Sequence, residues 1–278
     1  IKRNARLESN LKRIKENIFK IISHLQNELK QSEFRPINFE FNINEKGIAN
    51  LTGDNGIEIV IRGVIDRVDI YESNGEKYIR VIDYKTGKKI FSMSSLLYGI
   101  NLQMLLYMFT ITGSGGAYSD CNPAGVLYMP SGEIVCGRDR DESDNMEEYL
   151  NKHYKMNGVV LNDRAVLNAM EKDIQGIYIP AKLLKGDTGD GELLLNKRSS
   201  SCLTSSQFKK LRQHTEKIII DVCNELYSGN IDADPLVISG GSPCDYCDYW
   251  SVCGNVPCEK YREADKNAEE KMLKIISD

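Results

Sequence analysis

"RVIDYKTGKK", residues 80–89, sets Asp83 and Lys85 two positions apart in a stretch of strand character. Side chains of a strand alternate between faces, so Val81, Asp83 and Lys85 share one. The preceding run "GVIDRVD" (63–69) puts Val64, Asp66 and Val68 on one face by the same rule. Between the runs, "ESNGE" (72–76) carries an Asn-Gly hairpin signal. If the strands pair through that turn, Asp66 and Asp83 converge, with Lys85 about 7 Å along the strand from Asp83. The surrounding Val and Ile residues make this face at least half buried. Two buried carboxylates repel unless a cation or a proton lies between them. Mg²⁺ suits such a place, because it takes oxygen ligands from one or two carboxylates and from substrate phosphates. The outline is a phosphodiester-hydrolysis site, with Lys85 orienting or deprotonating the water or stabilising phosphate charge. A plainer reading gives surface ion pairs: Asp66 with Arg67 or Arg80, and Asp69 as an exposed partner.

The pattern around these strands is that of an α/β core with a mixed central sheet flanked by helices. Leu11, Ile14, Ile18, Ile21, Leu25 and Leu29 recur at helical spacing and predict a helix over 4–30, which Pro36 closes off. Strand runs follow at 37–43, 57–71 and 77–87. A helix is predicted over 94–112, and "AGVLYMP" (124–130) reads as a short strand. The polar region 131–200 predicts a mobile loop near "DRDESDNMEEY" and short strands at 176–184 and 191–196. A helix over 204–230 has polar capping residues in front and Gly229 behind. A charged, helix-like tail is expected at 259–276. Gln103 and Tyr107 lie four apart, on one face of the 94–112 helix. Such a pair beside a metal site can hold DNA through an amide hydrogen bond and a ring contact.

The 278 residues are 41% hydrophobic and 27% charged, with net charge −4 and pI about 5.6. That balance carries no global basic signature for nucleic acid, so a DNA channel depends on a partner or on a local cluster such as Lys85, Lys88 and Lys89. The chain has no apolar run of transmembrane length and no signal peptide, and a cytoplasmic location is expected. It begins with Ile1 and reads as a fragment of something longer. It also lacks the G-x-x-x-x-G-K-[ST] loop of an ATPase. Four of its eight cysteines (Cys244, Cys247, Cys253 and Cys258) crowd into fifteen residues, which points to metal ligands before disulfides. Cys121, Cys136, Cys202 and Cys223 read as small packed or free residues. His24, His153 and His214 carry no assigned role.

Together, "GVIDRVD", "VIDYKTGK" and "LQMLLYM" resemble the RecB-like PD-(D/E)XK nuclease superfamily. "FEFNI", "YGINLQMLLYMFTI", "PAGVLYM" and "NGVVLNDRAVLNAMEKD" narrow the resemblance to the C-terminal domain of the AddB family, over about residues 15–258. The resemblance implies a PD-(D/E)XK, restriction-endonuclease-like core. Asp66 and Asp83 would be the metal carboxylates, the Tyr84 carbonyl a third oxygen ligand and Glu40 a supporting acid. Lys85 would be catalytic, and Gln103 and Tyr107 the Q-x-x-x-Y motif. Lys88 and Lys89 are candidate DNA contacts. The family's metal-site histidine is expected to precede Ile1, because His24 lies in the wrong segment.

The same resemblance makes Cys244, Cys247 and Cys253 ligands of a [4Fe–4S] cluster whose fourth ligand lies upstream, shielded by Tyr246 and Trp250. A four-cysteine zinc site that includes Cys258 is the rival. The expected organisation is a nuclease domain over 1–243, a cysteine-rich segment over 244–258 and a helical tail over 259–278. The implied function is Mg²⁺-dependent hydrolysis of single-stranded DNA within a helicase–nuclease for double-strand break repair, beside an AddA-type partner. The alternatives are a catalytically incomplete DNA-binding module and a stand-alone RecB-family exonuclease.

Overall fold

The computed structural model describes residues 5–43, 51–54, 56–87, 89–133, 146–186, 193–198, 200–238, 241–253 and 260–277. Lys88, Cys136, Cys258 and residues 139–145 of the expected loop lie outside them. In chain order the elements are α1 (Ala5–Gln31), β1 (Arg35–Asn42), β2 (Leu51–Thr52), β3 (Glu58–Ile59), β4 (Val64–Ser73), β5 (Glu76–Lys85), α2 (Met93–Leu96), α3 (Gln103–Ile111) and β6 (Cys121–Pro130). They continue with α4 (Met146–Tyr154), β7 (Asn157–Leu161), α5 (Arg164–Met170), β8 (Cys202–Leu203), α6 (Ser205–Tyr227), β9 (Leu236–Val237), β10 (Arg262–Glu263) and α7 (Ala268–Ser277). The chain divides into two units, one of residues 1–49, 61–91 and 103–209, the other of 50–60, 92–102 and 210–278.

The first unit is built on a mixed six-stranded sheet in the order β1-β4-β5-β6-β7-β8. Its centre is the β4–β5 hairpin. Asn74 and Gly75 turn the chain at φ of 53° and 83°, the positive values that a tight two-residue turn requires. The strands then pair antiparallel from Ser73↔Glu76 to Arg67↔Ile82. β5 runs parallel to β6, and α3, on the connection between them, packs on both strands. The core holds Ile65, Val68, Ile79, Val81, Ile82, Val126, Leu127, Val159 and Val160, all fully buried.

One face of this hairpin carries buried charge. Asp69 stands opposite Arg80, and both are fully buried. The Asp69 carboxylate accepts from Arg67 Nε at 2.6 Å and Nη2 at 2.5 Å, and from Arg80 Nε at 2.9 Å. Glu28 of α1 closes the set, accepting from Arg80 Nη2 at 2.6 Å and Arg67 Nη2 at 3.4 Å. The Phe34 ring centroid lies 5.0 Å from the Arg80 guanidinium carbon. Burial pulls the Arg67 pKa down, but the hydrogen bonds and charge of Asp69, then the charge of Glu28, outweigh it and hold the group above its usual value. Two positive and two negative charges balance, so α1 is fastened to the sheet by ion pairs rather than by its apolar stripe. Leu11, Ile14 and Ile18 of that stripe are in fact about half exposed.

The structure corrects several expectations. Asp69 is a buried charge partner, because the pleat turns it beneath α1 rather than to solvent. The 57–71 run is two strands: β3 pairs with β2 in the second unit, and the chain breaks before β4. The 94–112 helix is also two, parted by a turn in which Gly99 and Asn101 take φ of 76° and 65°. Residues 146–149 begin α4 instead of forming a loop, and 176–184 makes one isolated bridge, Leu183↔Leu195, rather than a strand. β7 and α5 were hidden in "NGVVLNDRAVLNAM", where Asp163 caps α5 by accepting from Val166 N. The tail is helical only from Ala268. The 204–230 helix stands, with a reciprocal cap between Thr204 and Gln207 and Gly229 at φ 82° after its end.

In the second unit α2 packs on α7, and the Asp265 N–H donates to Tyr98 Oη at 2.6 Å.

Two stability outcomes follow. Asp69→Ala strands two buried guanidinium groups and should cost about 3–5 kcal/mol in urea denaturation, whereas an exposed pair such as Lys12–Glu16 should give under about 1 kcal/mol. An equal effect at the two places would contradict the fastening role. His24 is packed between Tyr154 and Tyr178, with ring centroids 5.4 and 5.0 Å away. Burial lowers its pKa, against the charge of Glu28 and a hydrogen bond from Asn151. The unfolded chain thus binds this proton more readily. Stability is full above the unfolded value of about 6.5 and falls as pH drops towards the folded value. His24→Gln should flatten the fall of Tm below about pH 6.5; an unchanged slope would remove His24 as its source.

Candidate active site

The register that buries Asp69 fixes the opposite face as well. One step beyond Arg67↔Ile82, Asp66 stands across from Asp83. The two carboxylates therefore share the face turned away from α1. Asp66 Oδ2 accepts from Tyr84 N at 2.8 Å, which ties the side chain to the neighbouring strand. The Tyr84 side chain points the other way, where its hydroxyl accepts from Arg67 Nη1 at 3.3 Å.

Asp83 is 5% exposed. Its pKa is raised, first by burial and also by the charge of Asp66, while Lys85 and Lys89 pull it down. Lys85 Nζ lies 2.7 Å from Asp83 Oδ2. That oxygen is nonetheless buried with no well-aligned hydrogen bond among the described residues. The contact is a close ion pair whose geometry leaves the lone pairs of Oδ2 unengaged. A buried, unengaged carboxylate oxygen facing a second carboxylate is the environment in which a hard cation relieves both repulsion and desolvation.

Tyr128 of β6 is the register partner of Asp83 and is 1% exposed. Burial, and secondarily the charge of Asp83, pushes its hydroxyl pKa up to about 12, so it stays protonated. Lys89 Nζ lies 5.9 Å from the centroid of the Tyr128 ring.

The break before α3 places Gln103 in the first turn of that helix and Tyr107 one turn later. Gln103 Nε2 donates to Tyr107 Oη at 3.2 Å. Tyr107 is 9% exposed, and its hydroxyl lies against Gly63, just before β4: a Cβ on Gly63 would fall 2.2 Å from that oxygen. Gly63 is thus a site residue that the sequence reading missed. Its only signal was a glycine at the start of a strand run, which gives no hint of what approaches it. Tyr128 was missed too, because the β5–β6 register cannot be read from either strand alone. Glu40 lies across from Asp66, between the pairs Phe39↔Arg67 and Phe41↔Ile65, but its φ of 47° interrupts the ladder and its side chain is exposed.

Among the described residues, no three His, Cys, Asp or Glu side chains are gathered closely enough to hold a metal. Two carboxylates still fit Mg²⁺, which keeps several waters and draws further ligands from substrate. An iron–sulfur cluster is not matched in this way: Cys244, Cys247 and Cys253 do not assemble into a ligand set with the described residues. Tyr246 and Trp250 are exposed rather than shielding. Cys121 and Cys202 have thiol pKa values pushed up by burial to about 11 and about 12, which keeps them protonated. His214 lies beside the Leu96 carbonyl in the second unit.

The chain is similar to AddB proteins, the second of the two subunits of ATP-dependent helicase/deoxyribonucleases. It is 30% identical over 279 residues to AddB of Clostridioides difficile (strain 630), covering 95% of this chain and 24% of the relative. It is 31% identical to AddB of Clostridium acetobutylicum over 96% of this chain and 23% of the relative. For Clostridium botulinum (strain Langeland, type F) the figures are 34%, 96% and 24%. The chain thus spans about a quarter of the length of the curated relatives it matches. A family model described as PD-(D/E)XK nuclease superfamily matches residues 7–254, which take in the mixed sheet and the paired aspartates with their lysine. On the strength of that match the chain belongs to the PD-(D/E)XK nuclease superfamily.

Proposed function

We propose that this chain is a Mg²⁺-dependent deoxyribonuclease module acting on single-stranded DNA, as an exonuclease, within a helicase–nuclease that processes broken DNA ends. The observation that carries the reading is Asp83 Oδ2, buried, unengaged and 2.7 Å from Lys85 Nζ, with Asp66 across the ladder. Superfamily membership supports a nuclease with a divalent cation. The relatives' name supports a helicase–deoxyribonuclease setting with an AddA-type partner. Among the described residues no helix is long and apolar enough to cross a membrane.

Asp66 and Asp83 would hold the cation, with the Tyr84 carbonyl as a third donor. When bound, the cation polarises a phosphate oxygen and lowers the pKa of a water. Lys85, kept in place by Asp83, donates to the attacking water or to a phosphate oxygen as charge builds on phosphorus. Gln103 and Tyr107 position the strand, with the tyrosine ring fixed by Gly63 below it and by the Gln103 amide. No step of this reading passes through an iron–sulfur cluster.

One observation favours a second reading. Only two carboxylates gather among the described residues, as expected of a DNA-binding module with an incomplete site. Cleavage of labelled single-stranded DNA with Mg²⁺ separates the two. Lys85→Ala should lose roughly 10²–10³-fold and Asp83→Asn at least as much, at unchanged Tm. A chelator should abolish the reaction. Cleavage surviving in both variants would sink the site assignment; binding without cleavage by the unmodified chain would favour the incomplete module. Gly63→Ala should displace the Tyr107 ring and lower cleavage about tenfold or more while Asp83 and Lys85 stay in place. Full activity in Gly63→Ala would show that the ring position is not needed.

A further inference from the structure

A cavity of about 450 Å³ opens beside Lys85. It lies on the carboxylate face, because Tyr128 is the register partner of Asp83 on one side and of Asn157 on the other. Its volume falls within the range of about 300–1,000 Å³ usual for small-ligand sites. Lys85, Lys89, Lys152, Lys155 and His153 supply its polar groups, and none of the described lining residues is acidic. Tyr149, Tyr128 and Ile90 supply apolar and aromatic wall.

The cavity is built rather than incidental. Asn157 accepts from Phe91 N at 2.9 Å and donates to Lys89 O at 2.8 Å, so it clamps the segment that carries Lys89 and Ile90 to the wall. His153 Nε2 is buried with no hydrogen-bond partner among the described residues. Burial lowers the pKa of Lys155; the charge of Glu171 opposes this and Lys182 adds to it. The Glu171 oxygens are already engaged by the N–H groups of Ile177, Tyr178 and Ile179, at 2.8, 2.8 and 3.0 Å. Lys155 is thus under-neutralised, and a seated anion would supply the missing charge. Lys152 and His153 also suit the C-terminal turn of α4 through its dipole. That role leaves unexplained both the orphaned ring nitrogen and the enclosed volume.

We propose that this cavity seats one nucleotide of the DNA strand next to the scissile phosphate, with its phosphate among Lys89, Lys152 and Lys155 and its base against Tyr149 and Ile90. The proposal rests on the deoxyribonuclease reading and names how that site takes its substrate.

Binding of a fluorescent oligothymidylate eight nucleotides long, followed by anisotropy in chelator, tests it without cleavage. Lys152→Gln/Lys155→Gln should weaken binding about tenfold and make the salt slope shallower by about 1.4, since each neutralised phosphate on a single strand contributes about 0.7. Tyr149→Ala should weaken binding roughly tenfold through lost stacking. Thymidine 5′-monophosphate should compete, and thymidine or inorganic phosphate should compete far less. Lys12→Gln/Lys20→Gln on α1 controls for general charge, and the Tm of each variant reports its folding. Unchanged binding in the Lys152/Lys155 variant, an equal loss in the α1 control, or equal competition by phosphate alone would each overturn the proposal. If Lys152→Gln/Lys155→Gln melts early, Lys152→Gln alone should still weaken binding, and normal binding there overturns it. Mg²⁺-dependent cleavage with pocket-independent binding would remove the cavity and leave the nuclease; pocket-dependent binding with no cleavage would do the reverse.

Discussion

The antiparallel register of β4 against β5 is the constraint on which the nuclease unit depends. It places Asp69 opposite Arg80 on one face and Asp66 opposite Asp83 on the other. Strand side chains alternate with a period of two, so a slip of one residue would move each set to the wrong face. Two features hold the register. The Asn74-Gly75 turn admits only a short loop, and the pairs among Glu28, Arg67, Asp69 and Arg80 would each lose a partner in any other alignment. An unpaired buried charge is costly enough to select the native pairing.

The two faces treat charge oppositely. Beneath α1 the four charges neutralise one another, and all but Arg80 Nη1 are hydrogen-bonded; Phe34 packs on that guanidinium. On the other face the balance is left open: Asp83 is buried beside a like charge, its oxygen is poorly engaged, and Lys85 is only partly covered. A satisfied cluster makes a rigid support, and an unsatisfied one makes a place for a cation and a phosphate. Rigidity on one side of the strands is what lets the other side keep unfavourable charge in a fixed geometry.

Much of this was legible in the residues. "GVIDRVD", "ESNGE" and "RVIDYK" carry their own alternation and turn chemistry, so the hairpin and the meeting of Asp66 with Asp83 follow from local rules. Gln103 and Tyr107 were readable as a helical pair for the same reason. The boundaries of α3 were not: an apolar run over 94–112 hides a turn whose positive φ values fall on Gly99 and Asn101, residues that also occur inside helices. Asp69 was misplaced because a charged residue beside two arginines looks the same whether it faces water or lies under a helix. β7 and α5 sit in a polar stretch whose burial comes from β6 and α1, both distant in sequence.

The sequence by itself determined the hairpin, the shared face of Asp66, Asp83 and Lys85, and the class of chemistry that those groups suit. These depend on strand periodicity and on a two-residue turn, which act over a few residues. Only the tertiary structure decided that Asp69 belongs to a buried charge cluster and that Gly63 lies under Tyr107. It also decided that Tyr128 and Asn157 extend the row of Asp83 towards a lysine-lined cavity. Each of these requires the register between strands or helices far apart in the chain, and that register is set by packing and charge pairing across the whole sheet.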